Sequence, residues 1–268
     1  MAQRESAVKT TIVIPAAGQG TRLRPLTDDI PKCMVAVHGK PLLHWQLAVQ
    51  ADVDAEVVVV CGYRPDRIDA PGAILRDNPD YYSTNMVRTL MCAEGDFGDH
   101  LVISYGDIIY ETPLLRGLID CPDEIAVVVD KDWLPYWRQR FEDPLSDAET
   151  LRLDSGRITE IGGKPDSVDD IQGQFIGLVG FRSRGLEWMR QVIAEAQQLQ
   201  SKGETLPGCP RNLDGLYTTD LLQELIRRGH PVTPVFSDGG WLEVDSVSDL
   251  ELAENLSTSR EGQLRILR

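Results

Sequence analysis

Long apolar runs are missing from this 268-residue chain, and nothing approaches the roughly 20 consecutive apolar residues of a membrane-spanning helix. The N-terminal stretch MAQRESAVKT lacks the apolar centre of an export signal. These two absences lead us to expect a cytoplasmic protein without membrane insertion. Cysteine is sparse and unpatterned: Cys33, Cys61, Cys92, Cys121 and Cys209 are odd in number and form no Cys-x-x-Cys pair, which argues against a disulfide framework or structural zinc. His38, His44, His100 and His230 share no metal-ligand spacing and read as surface or packing residues. Positive charge is also in deficit, 27 Lys plus Arg against 42 Asp plus Glu for a formal charge of −15. That balance disfavours nucleic acid as a partner and leaves a small nucleotide as the better ligand.

What the chain does have is concentrated between Thr11 and Lys32, TIVIPAAGQGTRLRPLTDDIPK. The β-branched, apolar run Thr11-Ile12-Val13-Ile14, closed by Pro15, reads as a buried strand. Small residues follow, Ala16, Ala17, Gly18 and Gly20, which let a ligand lie on the backbone and let successive N–H groups point into one concavity. Arg22, Arg24 and Lys32 add fixed positive charge, a combination suited to a polyphosphate. Neither the Gly-x-Gly-x-x-Gly of the dinucleotide fold nor the Gly-Lys-Ser/Thr ending of a P-loop is present.

Beyond this cradle, Pro41 introduces a helix over Leu42–Val49, and EVVVVCG from Glu56 is a second buried strand, so a parallel βαβ unit is expected. A short strand follows at Ala73–Arg76, and Thr84 or Asn85 caps a helix from Met86 to Ala93. His100–Tyr110 reads as a strand ending in Gly106-Asp107, a place where a carboxylate meets ligand at the sheet edge. A helix at Pro113–Ile119 and a strand at Glu124–Asp130 come next. The stretch about 131–146, with Trp133, Tyr136, Trp137 and Phe141, reads as an irregular aromatic insertion that is either a minor core or a pocket wall. Residues 149–153 and 157–161 alternate around Asp154-Ser155-Gly156 as a hairpin. The strand Gln174–Phe181, a helix from Gly185 to Gln200, a Gly/Pro-rich loop over 201–214, a helix from Thr218, and a strand at Val232–Phe236 lead to WLEVDS and a last helix at Val247–Asn255. The whole predicts an α/β fold with a doubly wound sheet. We expect one domain over 10–256 between tails at 1–9 and 257–268.

The string AAGQGTRLRPLT followed by Pro31-Lys32 resembles the signature of the nucleotidyltransferases that activate sugar phosphates, phosphocholine and phosphonates, Ala-x-Gly-x-Gly-Thr-Arg-Leu-x-Pro-Leu-Thr and then Pro-Lys. The resemblance runs from about residue 10 to residue 255, with its motifs in order, and implies a Rossmann-like three-layer α/β/α arrangement with a mixed, mostly parallel sheet and a small β insertion. It implies attack of a phosphate or phosphonate oxygen on the α-phosphorus of a nucleoside triphosphate, with pyrophosphate leaving. On it, Ala16, Ala17, Gly18, Gly20 and Thr21 hold the nucleotide together with Ser83, Thr84 and Asn85. Arg22 faces the pyrophosphate, Lys32 the attacked phosphate, and Asp107 with Asp245 of Glu-x-Asp-Ser holds Mg²⁺.

STNMV, ISYGDI and the aromatic insertion look nearest to the phosphocholine and phosphonate cytidylyltransferases, so CTP is the expected nucleotide. Sugar-phosphate members carry Glu-Lys-Pro where this chain has Gly163-Lys164-Pro165; Lys164 is retained as an acceptor-side candidate and the acid is lost. Trp133, Tyr136 and Trp137 amid carboxylates suit a cationic acceptor such as phosphocholine or an aminoalkylphosphonate, the acceptor class favoured here. Arg138 and Arg140 in the same stretch would suit instead an acceptor bearing a carboxylate, such as a phosphorylated amino acid. A sugar-1-phosphate uridylyl- or thymidylyltransferase and a non-catalytic nucleotide sensor are the competing readings. A homodimer is admitted by the sequence and not specified by it.

Overall fold

A computed structural model describes residues 8–255 of the chain. The expected tails lie outside the described residues, apart from Val8 and Lys9. Seven strands form the central sheet: β1 Thr10–Pro15, β2 Glu56–Cys61, β3 Ile74–Asp77, β4 His100–Ser104, β5 Ile125–Asp130, β6 Gln174–Arg182 and β7 Thr233–Ser237. Their order across the sheet is β3, β2, β1, β4, β6, β5, β7. All pairings are parallel except the two made by β6. The inner strands are continuous runs of Val, Ile and Leu because both faces are covered.

Alternation along each strand sends successive side chains to opposite faces. Val13, Leu101 and Ile103 pack with apolar residues of α2 (Met86–Met91), α5 (Arg184–Ser201) and α6 (Thr218–Arg227). Ile12 and Val102 face the other way, toward α3 (Thr112–Asp120) and α4 (Trp133–Arg140), while Ile14 meets Leu43 of α1 (Leu42–Gln50). A final helix, α7, spans Val247–Glu254. The architecture is the expected three-layer α/β fold.

From β1 the chain runs outward through β2 to β3, then returns to lay β4 on the opposite side of β1. The loops leaving β1 and β4 therefore part from each other and open a crevice at the C-terminal strand ends. Two local expectations need correction. The run over 100–110 is not one strand: it leaves the sheet after Ser104, and Ile108–Tyr110 pairs antiparallel with Trp241–Glu243. The aromatic stretch is not irregular either, since Trp133–Arg140 is helical; Pro135 falls in the first turn, where its missing N–H leaves no helical bond unmade. The hairpin forms as expected, Leu151–Asp154 against Arg157–Ile161, with Ser155 and Gly156 both at positive φ as a two-residue turn of this kind requires.

Candidate active site

The cradle is built by what β1 cannot continue. Its pairing with β2 ends at Pro15, and the backbone then passes through Ala16 and Ala17 to Gly20, whose φ of 63° is left-handed. A side chain there would also strike Lys32, since a Cβ would lie 2.8 Å from the Lys32 Cβ. Thr27 Oγ1 donates to the Gly20 carbonyl at 2.7 Å and closes the loop over the short turn Thr21–Leu23. This folding of the loop on itself carries Arg22 and Lys32 back to the strand ends.

Two carboxylates wait there. Asp107 follows β4, and Asp245 follows Trp241–Glu243; the ribbon joining these segments continues into a bond from the Val244 N–H to the Asp107 carbonyl at 2.9 Å. Lys32 Nζ donates to Asp107 Oδ2 at 2.7 Å and to Asp245 Oδ1, and Arg22 pairs with the other Asp245 oxygen. Asp107 Oδ1 is buried with no hydrogen-bond partner. Among the described residues no three His, Cys, Asp or Glu side chains gather into a metal cage. A carboxylate pair with one unclaimed buried oxygen fits Mg²⁺, which keeps several waters and is usually held by one or two carboxylates plus substrate phosphates.

The crevice has two compartments. One, of about 320 Å³, is walled by Ala16, Ala17, Gly18, Gly20 and Thr21, and on its far side by Tyr81, Thr84 and Asn85. The other, of about 510 Å³, is walled by Asp147, Glu149, Gln174, Arg211, Glu243 and the rings of Trp137 and Trp241. They share Arg22, Asp107 and Asp245, so the charged cluster is the threshold between them. Cys33 lines the first compartment, but burial pushes its thiol up to about 12 and leaves it no nucleophile at neutral pH. In the second, burial reinforced by Asp147, Asp220 and Glu243 lifts the Glu149 carboxyl to about 7 against the pull of Arg211.

Several residues singled out in the sequence lie elsewhere. Ser83 turns to the Asp80 carbonyl at 3.2 Å and lines neither compartment, whereas Asn85 keeps its place in the first while also capping α2 through the Met86 N–H at 2.9 Å. Trp133 is 3% exposed and packs edge-on to Trp137; Tyr136 meets Trp241 edge-on and exchanges hydrogen bonds with the Glu243 backbone. The aromatic group is thus a core beneath the Trp241–Glu243 strand, and of its expected members only Trp137 reaches the second compartment. Lys164 donates to the Leu145 carbonyl at 2.9 Å and lines neither compartment. Arg138 is exposed, and Arg140 is buried against Asp249 and Glu243. Tyr81 on the nucleotide side, and Glu149 and Arg211 on the other, escaped the sequence reading. Arg211 sits in a Gly/Pro-rich connection that carries no periodic signal, and Glu149 opens a hairpin where an acid looks like any solvated residue.

Residues 12–206 match the family model of the MobA-like NTP transferase domain. The chain belongs to this family. It is a nucleotidyltransferase, and the resemblance read from the glycine-rich stretch holds. Over 255 residues, 90% of this chain and 97% of the relative, it is 37% identical to the CTP:phosphoglutamine cytidylyltransferase of Campylobacter jejuni. It is 26% identical to the CMP-5'-(3-aminopropyl)phosphonate synthase of Streptomyces rubellomurinus, over 97% of this chain and 41% of that protein. The solved CTP:phosphocholine cytidylyltransferase of Streptococcus pneumoniae shares the fold, with a TM-score of 0.68 at 21% identity over 92% of this chain and 98% of that one. No helix among the described residues is long and apolar enough to cross a membrane.

Proposed function

We propose that this nucleotidyltransferase moves CMP from CTP to a small phosphorylated acceptor, with a phosphorylated amino acid of the phosphoglutamine kind as the acceptor class. The observation that carries the proposal is the shared threshold: two compartments open onto the same Asp107, Asp245 and Arg22, so a nucleotide in one and an acceptor in the other bring their phosphates to one point. The CTP-dependent relatives, above all the one named for phosphoglutamine, support the choice of nucleotide and acceptor.

In the transfer, an acceptor phosphate oxygen forms a bond to the α-phosphorus as the α–β bridging bond breaks, and pyrophosphate leaves with the electron pair. The oxygen is already anionic, so neither a protein nucleophile nor a general base is needed. The backbone from Ala16 to Thr21, with Arg22, receives the charge of the leaving pyrophosphate. Lys32, fixed by two carboxylates at the threshold, stands where it can meet the α-phosphate and the incoming oxygen together. Asp107 and Asp245 would hold Mg²⁺, which supplies charge neutralisation at the α-phosphate.

A sugar-1-phosphate acceptor is less favoured. Lys164, the residue that the sugar enzymes would use, is engaged with backbone carbonyls away from the second compartment, whose walls carry five carboxylates and the Arg211 guanidinium. The test is to supply each NTP with Mg²⁺ and either phosphoglutamine, phosphocholine, 2-aminoethylphosphonate or glucose 1-phosphate, following pyrophosphate release and the ³¹P signal of the new diphosphate. CTP with phosphoglutamine should turn over fastest. Asp107→Asn should fold normally and lose on the order of a hundredfold or more in rate. Preference for UTP with glucose 1-phosphate would overturn the proposal.

A further inference from the structure

The second compartment carries an unbalanced set of charges. Five carboxylates line it: Asp107, Asp147, Glu149, Glu243 and Asp245. Lys32 and Arg22 answer Asp107 and Asp245, and Arg140 answers Glu243 at 2.6 Å. The side chains of Asp147 and Glu149 form no ion pair among the described residues. Glu149 is half-buried and only Arg211, already held by Asp220, pulls against the carboxylates around it, so a cationic group brought by a ligand would be welcomed.

Arg211 lines the same compartment. Asp220 grips its guanidinium through Nε at 2.8 Å and Nη2 at 2.7 Å, and the group lies 4.9 Å from the centre of the Tyr217 ring. This leaves Nη1 for a further acceptor on a fork that is already fixed, an arrangement suited to a carboxylate. Trp137 adds a second donor without a partner. Its ring is 4% exposed, lines the compartment, and its indole N–H is buried and unsatisfied.

We infer that this compartment is an amino-acid recognition subsite, in which Arg211 takes the α-carboxylate of the acceptor and Glu149 with Asp147 takes its α-ammonium, while the phosphoryl end reaches the threshold. The inference rests on the reading that the acceptor occupies this compartment. It adds which acceptors are refused: phosphocholine offers an ammonium without a carboxylate, and a sugar phosphate offers neither. Lys164 and the Trp133 and Tyr136 rings take no part.

The test compares three acceptors with CTP: phosphoglutamine, its analogue lacking the α-carboxylate, and its analogue lacking the α-ammonium. The wild-type protein should prefer the complete acceptor over each analogue by about fiftyfold in kcat/KM, mostly through KM, as expected for a lost charge-assisted contact. In Arg211→Gln the preference for the carboxylate should collapse below about fivefold while the preference for the ammonium persists. In Glu149→Gln the two preferences should exchange roles. If either variant slows all three acceptors equally, its residue only shapes the loop and the assignment is wrong. Equal use of phosphocholine and phosphoglutamine by the wild type would refute the subsite and leave cytidylyl transfer standing. Failure to release pyrophosphate with any acceptor, despite CTP binding by calorimetry, would sink both.

Discussion

At the scale of single residues, Lys32 organises the site as much by its bulk as by its charge. Its stem occupies the space that any side chain at residue 20 would need, and its ammonium holds two carboxylates that would otherwise repel each other across the threshold. Gly20→Ala therefore carries two penalties, a left-handed φ and a contact that only Lys32 can relieve by moving. The backbone part alone costs about 1 kcal/mol. We expect this variant to lose more in kcat than in stability, because the displaced group is the one proposed to meet phosphate. A steady-state assay beside thermal melting checks this; a destabilised protein with unaltered kcat would mean the loop, and not Lys32, absorbs the strain. The sequence made this pair visible as a motif, yet gave no hint that the glycine is required by a lysine twelve residues on.

At the scale of elements, the turn bearing Asp245 is held by a buried ionic chain. Arg140 of α4 donates through Nε to Asp249 Oδ1 at 2.9 Å, and Asp249 Oδ2 accepts from the backbone N–H groups of Asp245 at 3.1 Å and Ser246 at 2.9 Å. The same arginine pairs with Glu243, so one cation ties a helix to both the carboxylate turn and the floor of the second compartment. Removing it strands two carboxylates in the interior, a loss of about 3–5 kcal/mol. Arg140→Met should unfold at markedly lower urea, and Arg140→Lys, which keeps charge without the fork, should fold with reduced kcat and a recovered fraction of stability. Normal kcat in Arg140→Lys would show that the cap of α7 positions Asp245 unaided. From sequence, Arg140 looked like a candidate for contacting the acceptor, because an arginine among aromatics is read the same way whether it faces a ligand or a core. What separates the two cases is the partner, and Asp249 lies too far along the chain for any local pattern to reveal it. The proximity of Asp107 to Asp245 was expected from the family resemblance and from no local pattern, since it depends on the ribbon that peels from the sheet after Ser104.

At the scale of the whole molecule, the sheet was legible because doubly covered parallel strands leave unmistakable apolar runs, and the crevice followed from topology. The electrostatic design was not. Glu149 has its carboxyl lifted from an ordinary 4.5 to about 7, so the folded state binds the proton more tightly than the unfolded chain does. Stability on this account is greatest below pH 4.5 and declines as pH rises toward 7. His100, buried beside Arg182, is held down to about 4 and acts in the opposite sense: its contribution is present above 6.5 and is lost as pH falls toward 4. The two slopes oppose one another in the window they share, so the wild-type profile alone conceals both. Comparison with Glu149→Gln separates them. The variant should be more stable than wild type by on the order of 2–3 kcal/mol at pH 8, with the advantage vanishing near pH 4.5. Parallel melting curves across that range would mean Glu149 is adequately solvated in the free protein, and would remove the cost that an incoming ammonium is proposed to offset.

The internal pairing of Lys32 and Arg22 with the two aspartates also dictates an order of events. If Asp107 and Asp245 hold the metal as proposed, a bare divalent ion approaching the free protein finds only Asp107 Oδ1 unclaimed, the other three carboxylate oxygens being held by Lys32 and Arg22, and must evict a lysine with nothing to give that lysine in return. A nucleotide brings phosphates that can receive the ammonium, so the ion should enter as a passenger of the triphosphate rather than ahead of it. Titration with Mn²⁺ followed by electron paramagnetic resonance should find binding at least about tenfold weaker without CTP than with it. Lys32→Ala should tighten the uptake of the bare ion and erase most of that difference, converting a protein that waits for its nucleotide into one that scavenges metal.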